Sequence, residues 1–170
     1  MDIPSNFLAL ICLLKLDLQV TKIFFNRILF LCNYILLRLV VEEGRIIRFY
    51  SVCENAKNNN IICIASNANA DINSYPAIFE NVISVSSSKF ENKFDFIYRE
   101  GELSECLIDG FPEDAYFISG ERKQLGGNSF AAPIITGIVS LFVQKYGKIS
   151  IDEIRSLLKC YSINSRQKSA

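Results

Sequence analysis

Ser129 is the side chain best placed to do chemistry in this chain. It lies in the stretch Gly127-Asn128-Ser129-Phe130-Ala131-Ala132-Pro133-Ile134-Ile135-Thr136-Gly137. From Ala131 to Tyr146 the chain is apolar nearly all round, as in a helix that runs through a core rather than over it, and Gly147 supplies the stop. A hydroxyl at the start of such a helix meets unpaired backbone N–H groups and the positive end of the helix dipole, which together favour a developing negative charge. Ala131 leaves room for a substrate backbone, Pro133 in the first turn forfeits no helix hydrogen bond, and Gly137 permits close packing. For an isolated Gly-x-Ser, a plain N-cap is the commoner use.

What could activate that hydroxyl is less obvious. The chain contains no histidine, the commonest general base at neutral pH and the commonest metal ligand. Lys123 is near in sequence and would be the candidate for a Ser-Lys pair, although nothing in its surroundings marks it as desolvated or aimed inward. Asn67, at the end of the apolar run Ile61 to Ala65, reads by itself as a turn residue.

The chain has 170 residues, room for one domain with a substantial core. Its 18 basic and 18 acidic side chains balance without a long run of one sign, which argues against a nucleic-acid partner. The cysteines Cys12, Cys32, Cys53, Cys63, Cys106 and Cys160 include no Cys-x-x-Cys pair, so no zinc site is expected and no cofactor is implied. Several sit in apolar runs, as buried thiols do, which suits a reducing compartment such as the cytoplasm.

Two regions differ in texture. Residues 1–48 are rich in Leu, Ile, Phe and Val with scattered charges, and read as an apolar helical leader. The window 23–41 holds 13 such residues, but Arg27 and Arg38 offset their insertion energy, leaving a membrane-spanning helix about neutral. Membrane association through 23–41 is therefore a minority expectation. A secretory signal is disfavoured by Met1-Asp2 and the absence of a cleavage site soon after Leu14.

From residue 49 onward the chain has the alternating pattern of an α/β domain. The pattern predicts a helix over Phe49–Lys57 and a strand at Ile61–Ala65 covered on both faces. A turn at Tyr75-Pro76-Ala77 leads to a strand at Asn81–Val85, and further strands are expected at Leu103–Ile108 and Ala115–Ser119. Ser150-Ile151-Asp152-Glu153 is a capping box opening a final helix with Ile154, Leu157 and Leu158 on one face. Residues 165–170 form a polar tail.

The stretch around Ser129 resembles the serine motif of the subtilisin-like proteases, Gly-Thr-Ser-x-Ala-x-Pro-x-x-x-Gly. Gly127, Ser129, Ala131, Pro133 and Gly137 match it and Asn128 replaces the threonine. Five such matches arise by chance in roughly one window in a million. Ala65-Ser66-Asn67 is similar to the family's Ala-Gly-Asn, and Tyr75-Pro76-Ala77 to its Tyr-Pro-Ala, where the Tyr-Pro bond is commonly cis.

The resemblance, over about residues 49–164, implies a three-layer α/β fold with a mostly parallel sheet, here incomplete. It implies peptide-bond hydrolysis through an acyl-enzyme at Ser129, with Asn67 as oxyanion donor and Ile64, Ala65 and Ser66 lining the peptide site. The family's aspartate and histidine should precede Asn67, yet Asp2 and Asp17 lack the expected surroundings. The chain thus looks like the C-terminal half of a catalytic domain, inactive alone. A truncated or frame-shifted gene would produce that abrupt change, and upstream DNA should then encode a His-Gly-Thr-like segment in another frame. The alternative is a non-catalytic peptide-binding or scaffold module. Partners expected are a peptide or protein substrate and a segment supplying the missing strands. No carboxylate cluster for calcium is evident.

Overall fold

Short apolar runs such as Ile62–Ala65 become strands of the main sheet, and the long apolar run from Ala131 becomes a helix laid across it. A computed structural model describes residues 34–37, 46–68, 74–111, 113–116 and 121–166. The main sheet has five strands in the order β1-β2-β3-β5-β4, where β1 is Tyr34–Leu37, β2 Ile62–Ser66, β3 Ile83–Ser87, β4 Phe96–Tyr98 and β5 Cys106–Ile108. Strands β1, β2, β3 and β5 are parallel and only β4 runs against its neighbour. A separate antiparallel hairpin joins β6 (Glu113–Tyr116) to β7 (Arg122–Leu125). The helices are α1 (Ile46–Asn58), α2 (Asn128–Tyr146), α3 (Ile151–Tyr161) and the short α4 (Ile163–Arg166).

Alternation along β2 divides the core in two. Ile62 and Ile64 join Ala131, Ile135 and Val139 of α2 and Ile154 and Leu158 of α3 on one face of the sheet. Cys63 and Ala65 turn to the other face, where Cys53 and Ala56 of α1, Phe79 and Val82 close a second cluster. This is the expected three-layer arrangement, and it explains why Ile61 to Ala65 carries no polar residue: both faces are covered. The described cysteines Cys53, Cys63, Cys106 and Cys160 are free thiols, the first three buried.

The leader differs from expectation. Residues 34–37 form a strand that pairs in parallel with β2, Tyr34 opposite Ile62 and Leu37 opposite Ala65, so a continuous helix over 23–41 does not exist. Strand pairing with β2 satisfies the backbone groups of this stretch that a helix would have satisfied internally. The remainder of the leader lies outside the described residues. Among the described residues one helix, α2, is long and apolar enough to cross a membrane, and its buried face is what fills the first core cluster.

Other boundaries also shift. Strand β3 begins two residues later than Asn81, because Asn81 is buried in the preceding turn with its amide donating to Glu54 Oε2 at 2.8 Å. The Leu103–Ile108 strand is confined to Cys106–Ile108, and β6 takes in Ala115 and Tyr116 of the expected Ala115–Ser119 strand, whose residues 117–119 lie outside the described residues. Strands β4 and β7 were not anticipated, being only three and four residues long. The Tyr75–Pro76 bond is cis. Part of the expected polar tail, Ser165 and Arg166, belongs to α4.

Helix α3 starts with the anticipated capping box: Ser150 Oγ accepts from Glu153 N–H and Glu153 Oε2 accepts from Ser150 N–H at 2.7 Å. Its Arg155 reaches back to the entry ends of β3 and β5. The guanidinium donates from Nε to Glu105 Oε1 at 2.9 Å, and from Nη2 to Glu105 Oε2 at 3.3 Å and the Glu80 carbonyl at 2.8 Å.

Gly137 does not pack closely, contrary to expectation. It is exposed on α2, and a Cβ there would meet nothing. Gly137→Ala is therefore expected to stabilise the isolated chain by about 0.5–1 kcal/mol through backbone entropy, read as a higher urea midpoint with unchanged slope.

Candidate active site

The exit ends of the parallel strands are where an open α/β sheet leaves a crevice, and the N-terminus of α2 arrives there. Asn67 follows β2, Ser87 ends β3, and Gly127 precedes α2 with φ of 120°, a value suited to glycine. Gly127 N–H donates to the Gly110 carbonyl at 2.6 Å, pinning the turn before α2 to the chain leaving β5.

Ser129 is the second residue of α2, half-buried, and not its cap. Gly127 holds the cap position without a side chain, so the expected capping role for the hydroxyl is corrected. Among the described residues the Ser129 hydroxyl makes no hydrogen bond. Its backbone N–H belongs to the first turn, where helix donors lack helix partners. Pro133 also differs from its expected place. The helix opens at Asn128, so Pro133 lies in the second turn, four residues after Ser129, whose carbonyl receives no backbone donor from it.

Asn128, the residue that departs from the motif, ties the region together. Its Nδ2 donates to the carbonyls of Asn67 at 3.1 Å and Ala68 at 2.9 Å. Its Oδ1 accepts from Ser87 N–H at 2.7 Å and Ser87 Oγ at 2.9 Å. The segments carrying Ser129 and Asn67 are thereby adjacent.

The Asn67 side chain itself is engaged elsewhere. Its amide donates to Ser104 Oγ at 2.5 Å, the Leu103 carbonyl at 3.0 Å and Ser86 Oγ at 3.1 Å, and none of its hydrogen bonds goes to Ser129.

The residues expected to line a peptide differ in access. Ile64 and Ala65 are fully buried between the layers, and β2 has β1 on one side and β3 on the other, so neither their side chains nor a free strand edge can meet a peptide here. Only Ser66 keeps accessible surface. Lys123 lies on β7 with its side chain half in solvent and its ammonium 3.1 Å from Glu121 Oε2, which is not the dry, inward-aimed amine a Ser-Lys pair needs. Among the described residues no group of His, Cys, Asp or Glu is arranged to hold a metal.

Sequence reasoning noticed Asn128 only as a mismatch and passed over Ser87 and Gly110. A polar residue between a glycine and the serine of an otherwise small and apolar motif was the available signal, but its partners lie some forty and sixty positions away.

The family model of the subtilases, peptidase S8, matches residues 44–167, most of the chain. The chain belongs to the subtilase family. Solved structures agree in fold. A prenylagaramide maturation protease, PagA, is 18% identical with a TM-score of 0.59, covering 85% of this chain and 57% of its own. A cold-adapted subtilisin-like serine proteinase is 19% identical with a TM-score of 0.58, covering 74% of this chain and 46% of its own. Sphericase is 16% identical with a TM-score of 0.53, covering 74% and 47%. This subtilase chain therefore spans about half the length of the structures it matches. The matched region begins within the leader and takes in α1 to α4, so strands β2 to β5, the helix bearing Ser129 and the cis Tyr75–Pro76 turn fall inside a serine-protease lineage, while β1 precedes the match.

Proposed function

We propose that this chain is one part of a serine endopeptidase centre, in which Ser129 is the nucleophile that forms an acyl-enzyme with a peptide substrate. The observation that carries this reading is the Ser129 hydroxyl, uncommitted to any cap, on the first turn of a buried helix held against the Asn67 segment by Asn128. Two donors serve the oxyanion in this reading. One is the Ser129 backbone N–H, and the other is the Asn67 amide once it has rotated away from Ser86, Leu103 and Ser104.

The chain alone is not expected to hydrolyse peptides, because a neutral alcohol without a base is a poor nucleophile and no histidine is present. A second polypeptide supplying the base and further strands is the partner this implies. Among the described residues β1 has a neighbour on one side only, which leaves an edge for such a strand.

An activated fluorophosphonate is the test. Labelling of the folded chain that disappears in Ser129→Ala supports the nucleophile, even at the slow rate expected without a base. Well-folded protein that is never labelled, alone or with a histidine-bearing subtilase half added, favours the second reading, a scaffold or peptide-binding module. The committed Asn67 amide is the observation on that side.

A further inference from the structure

We infer that Asn128 is a positioning residue that sets the relation between Ser129 and Asn67; the inference rests on the serine-centre reading above. A side-chain amide offers two N–H donors and two carbonyl lone pairs. All four are used in opposite directions: the donors hold the carbonyls of Asn67 and Ala68, and the oxygen holds the N–H and hydroxyl of Ser87. The amide is planar, so the ends of β2 and β3 are fixed to one rigid group. That group is attached to the residue directly before Ser129.

Asn128 is itself buried, which strengthens each bond and makes an unpaired partner costly. Threonine, the residue of the family pattern, carries one hydroxyl and cannot make all four bonds. The departure from the motif therefore provides a four-point clasp where a hydroxyl offers one donor and two acceptor sites. The clasp holds Asn67 by its backbone alone, so its side-chain amide keeps the freedom to exchange Ser86, Leu103 and Ser104 for another acceptor while its anchor stays in place.

Asn128→Asp isolates this role. Aspartate is isosteric, suits the positive end of a helix and still accepts from Ser87, but cannot donate to the carbonyls of Asn67 and Ala68. In folded Asn128→Asp, the Asn67 side-chain amide protons should exchange with solvent at least about tenfold faster. Fluorophosphonate labelling of Ser129 should fall about 10- to 100-fold, as expected for a misplaced reacting group. A merely structural role would lower stability and leave both readouts at wild-type values, and that result overturns the inference.

A second measurement needs no variant. NMR scalar couplings across the hydrogen bonds from the Asn128 side-chain nitrogen to the carbonyl carbons of Asn67 and Ala68 should be present in the wild-type chain, and their absence overturns the clasp directly. If wild-type protein is never labelled while the couplings and the Asn67 exchange behave as stated, the nucleophile reading fails and the role of Asn128 in placing Asn67 stands.

Discussion

Arg155→Ala is expected to cost the fold about 3–5 kcal/mol, the usual range when one member of a buried ion pair is removed. Both partners are largely out of solvent, with side-chain exposures of 21% for Arg155 and 11% for Glu105. The loss goes beyond one pair, since the same guanidinium also satisfies the Glu80 carbonyl and anchors α3 to the sheet. An aliphatic pair at both positions should recover most of the deficit, because the expensive outcome is the lone buried carboxylate rather than the absence of charge.

The deficit should depend on pH. Burial pushes the Glu105 carboxyl above the usual carboxylate range, and Arg155 and the Ser84 contact pull it partly back. Its folded-state pKa is thus above the unfolded one, so the folded chain keeps the proton at a pH where the unfolded chain has lost it. The contribution of this group is greatest below the unfolded pKa and declines as pH rises to the folded one. Removing Arg155 raises the folded pKa further and widens that window. Urea unfolding at about pH 4 and pH 7 should show a smaller gap between wild type and variant at the acid end. An equal gap at both values would mean that the Glu105 charge is not responsible.

Gly110→Ala carries the second large effect, about 3 kcal/mol, at the upper end of typical overpacking costs. A Cβ at position 110 would come within 2.7 Å of the Gly127 carbonyl oxygen, 2.7 Å of Ser87 Cβ and 3.2 Å of Ala131 Cβ. Two of these neighbours cannot swing aside: one is backbone, and the other is fixed on β3 next to the Asn128 clasp. Relief requires moving the start of α2, and with it Ser129. The variant should therefore lose stability in urea and also the slow fluorophosphonate labelling of whatever fraction remains folded. Retention of both would mean that the close approach of Gly110 to Gly127 does not set the helix position.

These two positions mark the limits of reading the chain as a string. Gly110 gives no local sign of its role, because its crowding comes from Ser87 well before it in the chain and from Gly127 and Ala131 well after it. Nothing in the sequence around Arg155 marks it as buried, because Glu105 is fifty residues away. The Ser150–Glu153 capping box, the covered strand after Asn60 and the Gly147 stop were legible, since each depends on groups within a few residues of one another. Tyr34–Leu37 was misread as helix: its apolar run suits either structure, and only the pairing with β2 selects a strand.

For the site, the motif from Gly127 to Gly137 located Ser129 and pointed to its family, because a close-packed helix start with an accessible hydroxyl allows few residue types at those spacings. The sequence by itself also determined that any base must come from something other than histidine within this chain. Only the tertiary structure decided that Ser129 is not a cap, that Ile64 and Ala65 are sealed away from any peptide, and that the Asn67 amide rests on Ser86, Leu103 and Ser104. The physical reason is the same in each case. Hydrogen-bond partnership and burial belong to surfaces brought together across the sheet, and local pattern carries the tendency of a segment but not the identity of what it meets.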